Sequence, residues 1–98
     1  MKNNLGFDFT EEEILKALQD LESYSLTMNV LLERYSLDFP KTRFVMFNDQ
    51  LVGIKVVLHH AYFLKHGKAN PENPVTDRYE SILRGVVSSK WEIIHTED

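Results

Sequence analysis

Leu51–Gly67 reads LVGIKVVLHHAYFLKHG, and the reading of its first half decides the fold. Val52, Ile54, Val56 and Val57 are β-branched and favour a strand. The second half, AYFLKHG, has the look of a helix closing on a glycine. Read as strands, Arg43–Phe47 and Leu51–Leu58 flank the turn residues Asn48, Asp49 and Gln50, which makes a hairpin. That reading leaves both faces of Phe44–Phe47 apolar. Read as a helix, Phe44, Phe47, Leu51, Ile54, Leu58 and Ala61 recur at steps of three and four. Lys41, Asn48, Lys55, His59 and His66 then fall within about 20° of one polar line. Gly53 opposes a helix by ~1 kcal/mol, but propensity is the weaker signal. The expectation is therefore a helix over 40–66, capped by Gly67 and followed by the breakers Asn70, Pro71, Asn73 and Pro74.

Upstream, Thr10 with Glu13 three positions later is a capping box, and Glu11, Glu12 and Glu13 suit the positive end of a helix dipole. Ile14, Leu18, Leu21, Ser25, Met28, Leu32 and Tyr35 form one apolar stripe, which predicts a helix over 10–35. The segment SLDFP, Ser36–Pro40, is a break. Residues 1–9 are expected to be flexible, with Leu5, Phe7 and Phe9 available to fold back as a lid. Downstream, Tyr79, Ile82, Leu83, Val86, Val87, Ile93 and Ile94 share a face of a third helix over 76–94. The expected fold is all-α: one domain spanning 1–98, a three-helix bundle whose first two helices form an antiparallel hairpin. The alternative is α+β, with a β-hairpin at 43–58 and a terminal strand in SKWEII.

The totals bound the function. With 98 residues and 43% hydrophobic content the chain makes one globular domain. It has no cysteine, so disulfides, thiolate metal sites and cysteine nucleophiles are excluded. The start MKNNLGFDFTEEE has no apolar signal-peptide core. The longest apolar run falls short of the ~20 residues a membrane span needs. The chain is thus expected in the cytoplasm, without a membrane partner. Residues 1–40 carry three basic and eight acidic side chains, against eight and seven in residues 41–98. That balance argues against nucleic-acid binding, which needs a basic face.

Chemistry-bearing patterns are sparse. His59 and His66 share a helical line two turns apart, with Glu72, Asp77 or His95 available from neighbouring segments. Zinc on a helix prefers spacings of three or four, so no metal site is expected. Glu11–Glu13 with Asp20 and Glu22 lack the facing carboxylates that a magnesium-dependent hydrolase requires. There is no nucleophile elbow, and the four glycines are isolated. No catalytic residue and no cofactor are therefore expected.

What stands out is a middle segment apolar on two flanks. Its second flank holds Met46, Gly53, Val57 and Leu64, where Gly53 would let a neighbouring backbone approach. With Trp91, these residues are the expected partner-binding set. The expected function is a small non-enzymatic protein-interaction module that binds another protein or itself as a homodimer. Its size and acidic start fit a bacterial or phage regulator, inhibitor or immunity-type protein, an analogy with no motif behind it. The competing class is a small-ligand or metal-binding protein with hydrolytic activity, using His59, His66 and nearby carboxylates.

Overall fold

A computed structural model describes residues 6–23, 33, 35, 43–72, 76–87 and 91–95. In chain order the elements are α1 (Glu11–Ser23), β1 (Arg43–Phe47), β2 (Gln50–Gly53), α2 (Ile54–His66), α3 (Thr76–Val87) and β3 (Ile93–His95). The strands form one antiparallel sheet in the order β2-β1-β3. The fold is α+β, and the expected all-α bundle with its helical hairpin is overturned.

The deciding stretch is divided between both conformations. Leu51, Val52 and Gly53 are strand, and Ile54–His66 is helix with no loop between them. Gly53 ends β2 and caps α2 with extended backbone, φ −58° and ψ 133°. Asn48 and Asp49 form the two-residue hairpin turn, with φ of 51° and 66°. Positive φ at both central positions matches the strand twist, and Asn and Asp tolerate it better than most residues. This turn, together with β-branched Val45 and Val52, prevails over the helical spacing of Phe44, Phe47 and Leu51. The third helix begins at Thr76 as expected but stops at Val87, and Ile93–His95 pairs with β1. Part of the first predicted stripe, including Ser25, Met28 and Leu32, lies outside the described residues, as do Ser36–Pro40, Asn73 and Pro74.

Helix ends follow the sequence closely. The Thr10 N–H donates to Glu13 Oε1 at 2.9 Å, and the Glu13 N–H donates back to Thr10 Oγ1 at 3.2 Å. Gly67 takes the left-handed conformation, and its N–H donates to the Phe63 carbonyl at 2.8 Å.

The core forms around α2. Ile54 and every residue from Val56 to Ala61 are buried, so this helix is covered on nearly all sides through its first two turns. Val57 and Leu58 join Ile14, Ala17 and Leu18 of α1, Tyr79 and Leu83 of α3, and Val45 and Phe47 of β1. Val56 packs instead with Tyr35, Leu21 and Phe63. A helix apolar all round is a central helix. The chain's own elements thus cover the flank of α2 that holds Val57. Each fully buried aliphatic side chain contributes about 1.5–3 kcal/mol. Phe7 and Phe9, from the segment expected to be flexible, are also in this core.

Candidate functional site

The strand pairing defines two sheet faces, because directly opposed residues project to the same side. Val45 pairs with Val52 and Ile93, and Arg43 with His95. This side meets the helices: Val45 is 1% exposed, and Arg43 and His95 reach Glu80 of α3. The other side is built from Phe44, opposite Gly53 and Ile94, and from Met46, opposite Leu51. The Met46 N–H donates to the Glu92 carbonyl at 2.9 Å, which extends the same register by one residue. Phe44, Met46 and Ile94 are partly exposed, and Leu51 is 46% exposed. The outer face is therefore an apolar patch of Phe44, Met46, Leu51 and Ile94, with the carboxylate of Glu92 at its edge.

The structure distributes the expected partner-binding residues over four places. Met46 and Gly53 share the outer sheet face, where Gly53 is buried. Val57 is fully buried in the core. Leu64 is 39% exposed at the far end of α2. It borders a groove of about 210 Å³ with Glu13, Lys16, Ala61 and Lys65. Trp91 packs edge-on against Phe47 at 5.9 Å, on the inner side of the sheet. Phe44, Leu51 and Ile94 were missed. The signal for them was present: a strand apolar on both faces, with neighbours on either side, is a central strand that still has a face to cover.

The histidines occupy the interior. His60 Nε2–H donates to Asp20 Oδ2 of α1 at 2.6 Å, since a carboxylate can only accept. On the neutral ring, Nδ1 then accepts from the Tyr35 hydroxyl, also at 2.6 Å. An Asp–His–Tyr chain is an arrangement that could relay a proton, but Tyr35 is 3% exposed. It works here as a tie between α1, α2 and the helical residue Tyr35. His59 bonds through Nε2 to the Tyr79 hydroxyl of α3 at 2.8 Å, and its Nδ1 is buried without a partner. Burial, helped by the charge of Lys55, lowers its pKa to about 4, so the ring is neutral at pH 7. Burial likewise pushes the Tyr79 phenol above its usual range. His66 lies on the exposed last turn of α2, its ring 4.3 Å from that of Tyr62. The pair suggested for a metal is thus split between core and surface. Among the described residues no three metal-ligating side chains converge.

A polar clamp closes one end of the sheet. Glu80 accepts from Arg43 Nε at 2.8 Å, Arg84 Nε at 2.7 Å and His95 Nε2 at 2.9 Å. Burial alone would raise the pKa of this carboxyl. The hydrogen bonds from Arg84, His95 and Arg43 outweigh that and hold it at about 2. The clamp ties β1 and β3 to α3.

Among the described residues no helix is long and apolar enough to cross a membrane. Comparison with family models, with curated proteins and with solved structures finds no match for this chain.

Proposed function

We propose that this chain is a non-enzymatic protein-interaction module that pairs with a second copy of itself through the outer face of its sheet. One observation supports it: the register gathers Phe44, Met46, Leu51 and Ile94 on the side of the sheet turned away from α2. A twofold contact sets a patch against its own copy, so charge near the axis is disfavoured. Among the described residues the only charged one in that register is Glu92, at the edge strand. Two such faces can stack as sheets do in a sandwich, with interdigitated side chains. Three strands about 4.8 Å apart and roughly 17 Å long offer a footprint of only some 250 Å². That is well below the ~800 Å² per partner of a stable complex. The pairing is therefore weak and concentration-dependent, as suits a small regulator, inhibitor or immunity-type protein that exchanges partners. A cytoplasmic setting, in keeping with a chain free of cysteine, is part of the same proposal.

The test is sedimentation velocity on the full chain across a hundredfold range of concentration. Self-association that Met46→Asp and Leu51→Asp abolish, while Leu64→Asp leaves it intact, is the expected result. A monomer at every concentration, or association indifferent to Leu51→Asp, would overturn the reading.

A further inference from the structure

The segment Gly6–Thr10 lies across α2 as a strap. Phe7 is its anchor: 1% exposed, its ring 5.0 Å from His59, 5.5 Å from Tyr79 and 6.3 Å from Tyr62. Gly6 stands at φ 91°, where an added Cβ would lie 3.1 Å from the Tyr62 ring and 3.2 Å from Asn70 Nδ2. Lys65 secures the strap by donating to the Asp8 carbonyl at 2.8 Å and lies over the Phe9 ring. Directly beneath sits His59, with a buried ring nitrogen that nothing satisfies.

We propose that the strap is an acid-released latch: protonation of His59 expels Phe7 and opens the strap while the helices stay packed. An imidazolium needs both N–H groups satisfied, and one of them here faces no acceptor. Water must then reach the ring. Of the parts that cover it, the strap is a single segment outside any helix or strand, whereas Tyr79 and Tyr35 are helical. Segments held by side-chain packing and not by a backbone ladder can open locally at a fraction of the global free energy. The charged and titratable groups around the ring favour this sequence of events. On α2, Lys55 repels the new charge, and its Nζ lies over the Tyr79 ring at 5.5 Å. From α3 comes the Tyr79 hydroxyl, and the ring of Tyr35 stacks at 6.1 Å. Asp20 of α1 is engaged by His60. Asp8 meets Lys65 through its backbone carbonyl. The His66 ring lies against Tyr62, whose ring faces Phe7. Release lets water reach the ring and relieves part of the burial that disfavours its charged form, so protonation favours the open strap.

The experiment places a fluorinated phenylalanine at position 7 of the full chain and follows its resonance from pH 7.5 to 4. Methyl signals of Val57 and Leu58 serve as the monitor of the core. Expected is an open-strap resonance that grows below pH 6 while those methyls hold still, in wild type and in His66→Gln but not in His59→Gln. Phe7 and the core methyls changing together would overturn the latch, as would a Phe7 signal that never changes. So would acid release that persists in His59→Gln. Should His59→Gln fail to fold, Phe7→Ala decides: His59 must titrate nearer 6.5, and an unmoved titration refutes the proposal.

Discussion

The two faces of β1 are both apolar and meet different fates. Val45 and Phe47 point at the helices and are buried to 1% and 7% exposure. Phe44 and Met46, one residue out of phase, stay partly exposed beside Leu51 and Ile94. Alternation in a strand usually sorts apolar from polar, and here it sorts one apolar set from another. Hydrophobicity on the inner face holds the fold together. On the outer face the described residues leave it only partly covered, which is why it supports a docking role.

The widest gap between the faces should come from truncation. Phe47→Ala removes a ring that packs on Trp91 and is expected to cost about 3–4 kcal/mol in denaturant unfolding. Met46→Ala should cost under about 1 kcal/mol in the same assay, since partly exposed positions have little to lose. Equal losses at the two sites would mean that the outer face is covered within one chain, and the docking argument would end there.

Next comes the clamp at the rim of the inner face. Glu80→Gln replaces a carboxylate that receives three donors and should cost about 2 kcal/mol. The acid dependence has a definite sign. Glu80 titrates at about 2 in the folded chain against 4.5 when free, so its contribution is complete above pH 4.5 and fades as pH falls towards 2. His59 acts in the same direction over a higher window: its pKa is lowered to about 4, so stability is lost as pH falls from 6.5 to 4. Stability curves of Glu80→Gln and wild type should run a constant distance apart above about pH 4.5 and converge as pH falls towards 2. Parallel curves down to pH 2 would remove the clamp from the acid response.

Much of this architecture was readable from residues, and the misreading has a specific cause. The capping box at Thr10, the glycine cap at Gly67 and the start of α3 at Thr76 are local signals, and the structure keeps them. The β-hairpin was legible too, in Asn48–Asp49 and in the valines. It lost to a coincidence: Phe44, Phe47, Leu51 and Ile54 keep helical spacing across a turn and two strands. Two apolar faces weigh against an isolated strand, although here they mark β1 as central. The true switch, at Gly53, lies inside the quoted run, and periodicity averaged over the whole run cannot locate it. The histidine bonds to Asp20, Tyr35 and Tyr79 join residues 20 to 40 positions apart. Such pairings depend on how the helices pack, and no spacing rule carries that information.

A smaller effect on stability should follow at the outer face itself. Leu51→Asp lies at a 46% exposed position of the edge strand and should change unfolding free energy by less than about 0.5 kcal/mol. Its consequence should appear between molecules, as a loss of self-association at concentrations where wild type pairs. If the variant unfolds instead, Leu51 belongs to the core and the distinction between the faces collapses.

The smallest effect concerns the turn that keeps the faces apart. Phe47 pairs with Gln50 across Asn48 and Asp49, so the two-residue loop sets the register of β1 against β2. A slip of one residue would send Leu51 inward and Val52 outward, exchanging the two sets. Asp49 holds φ at 66°, where an L-residue is mildly strained and glycine is at ease. Asp49→Gly creates the Asn-Gly pair that two-residue hairpins favour most. The expected gain is about 0.5 kcal/mol, with cross-strand contacts between Val45 and Val52 unchanged by NMR.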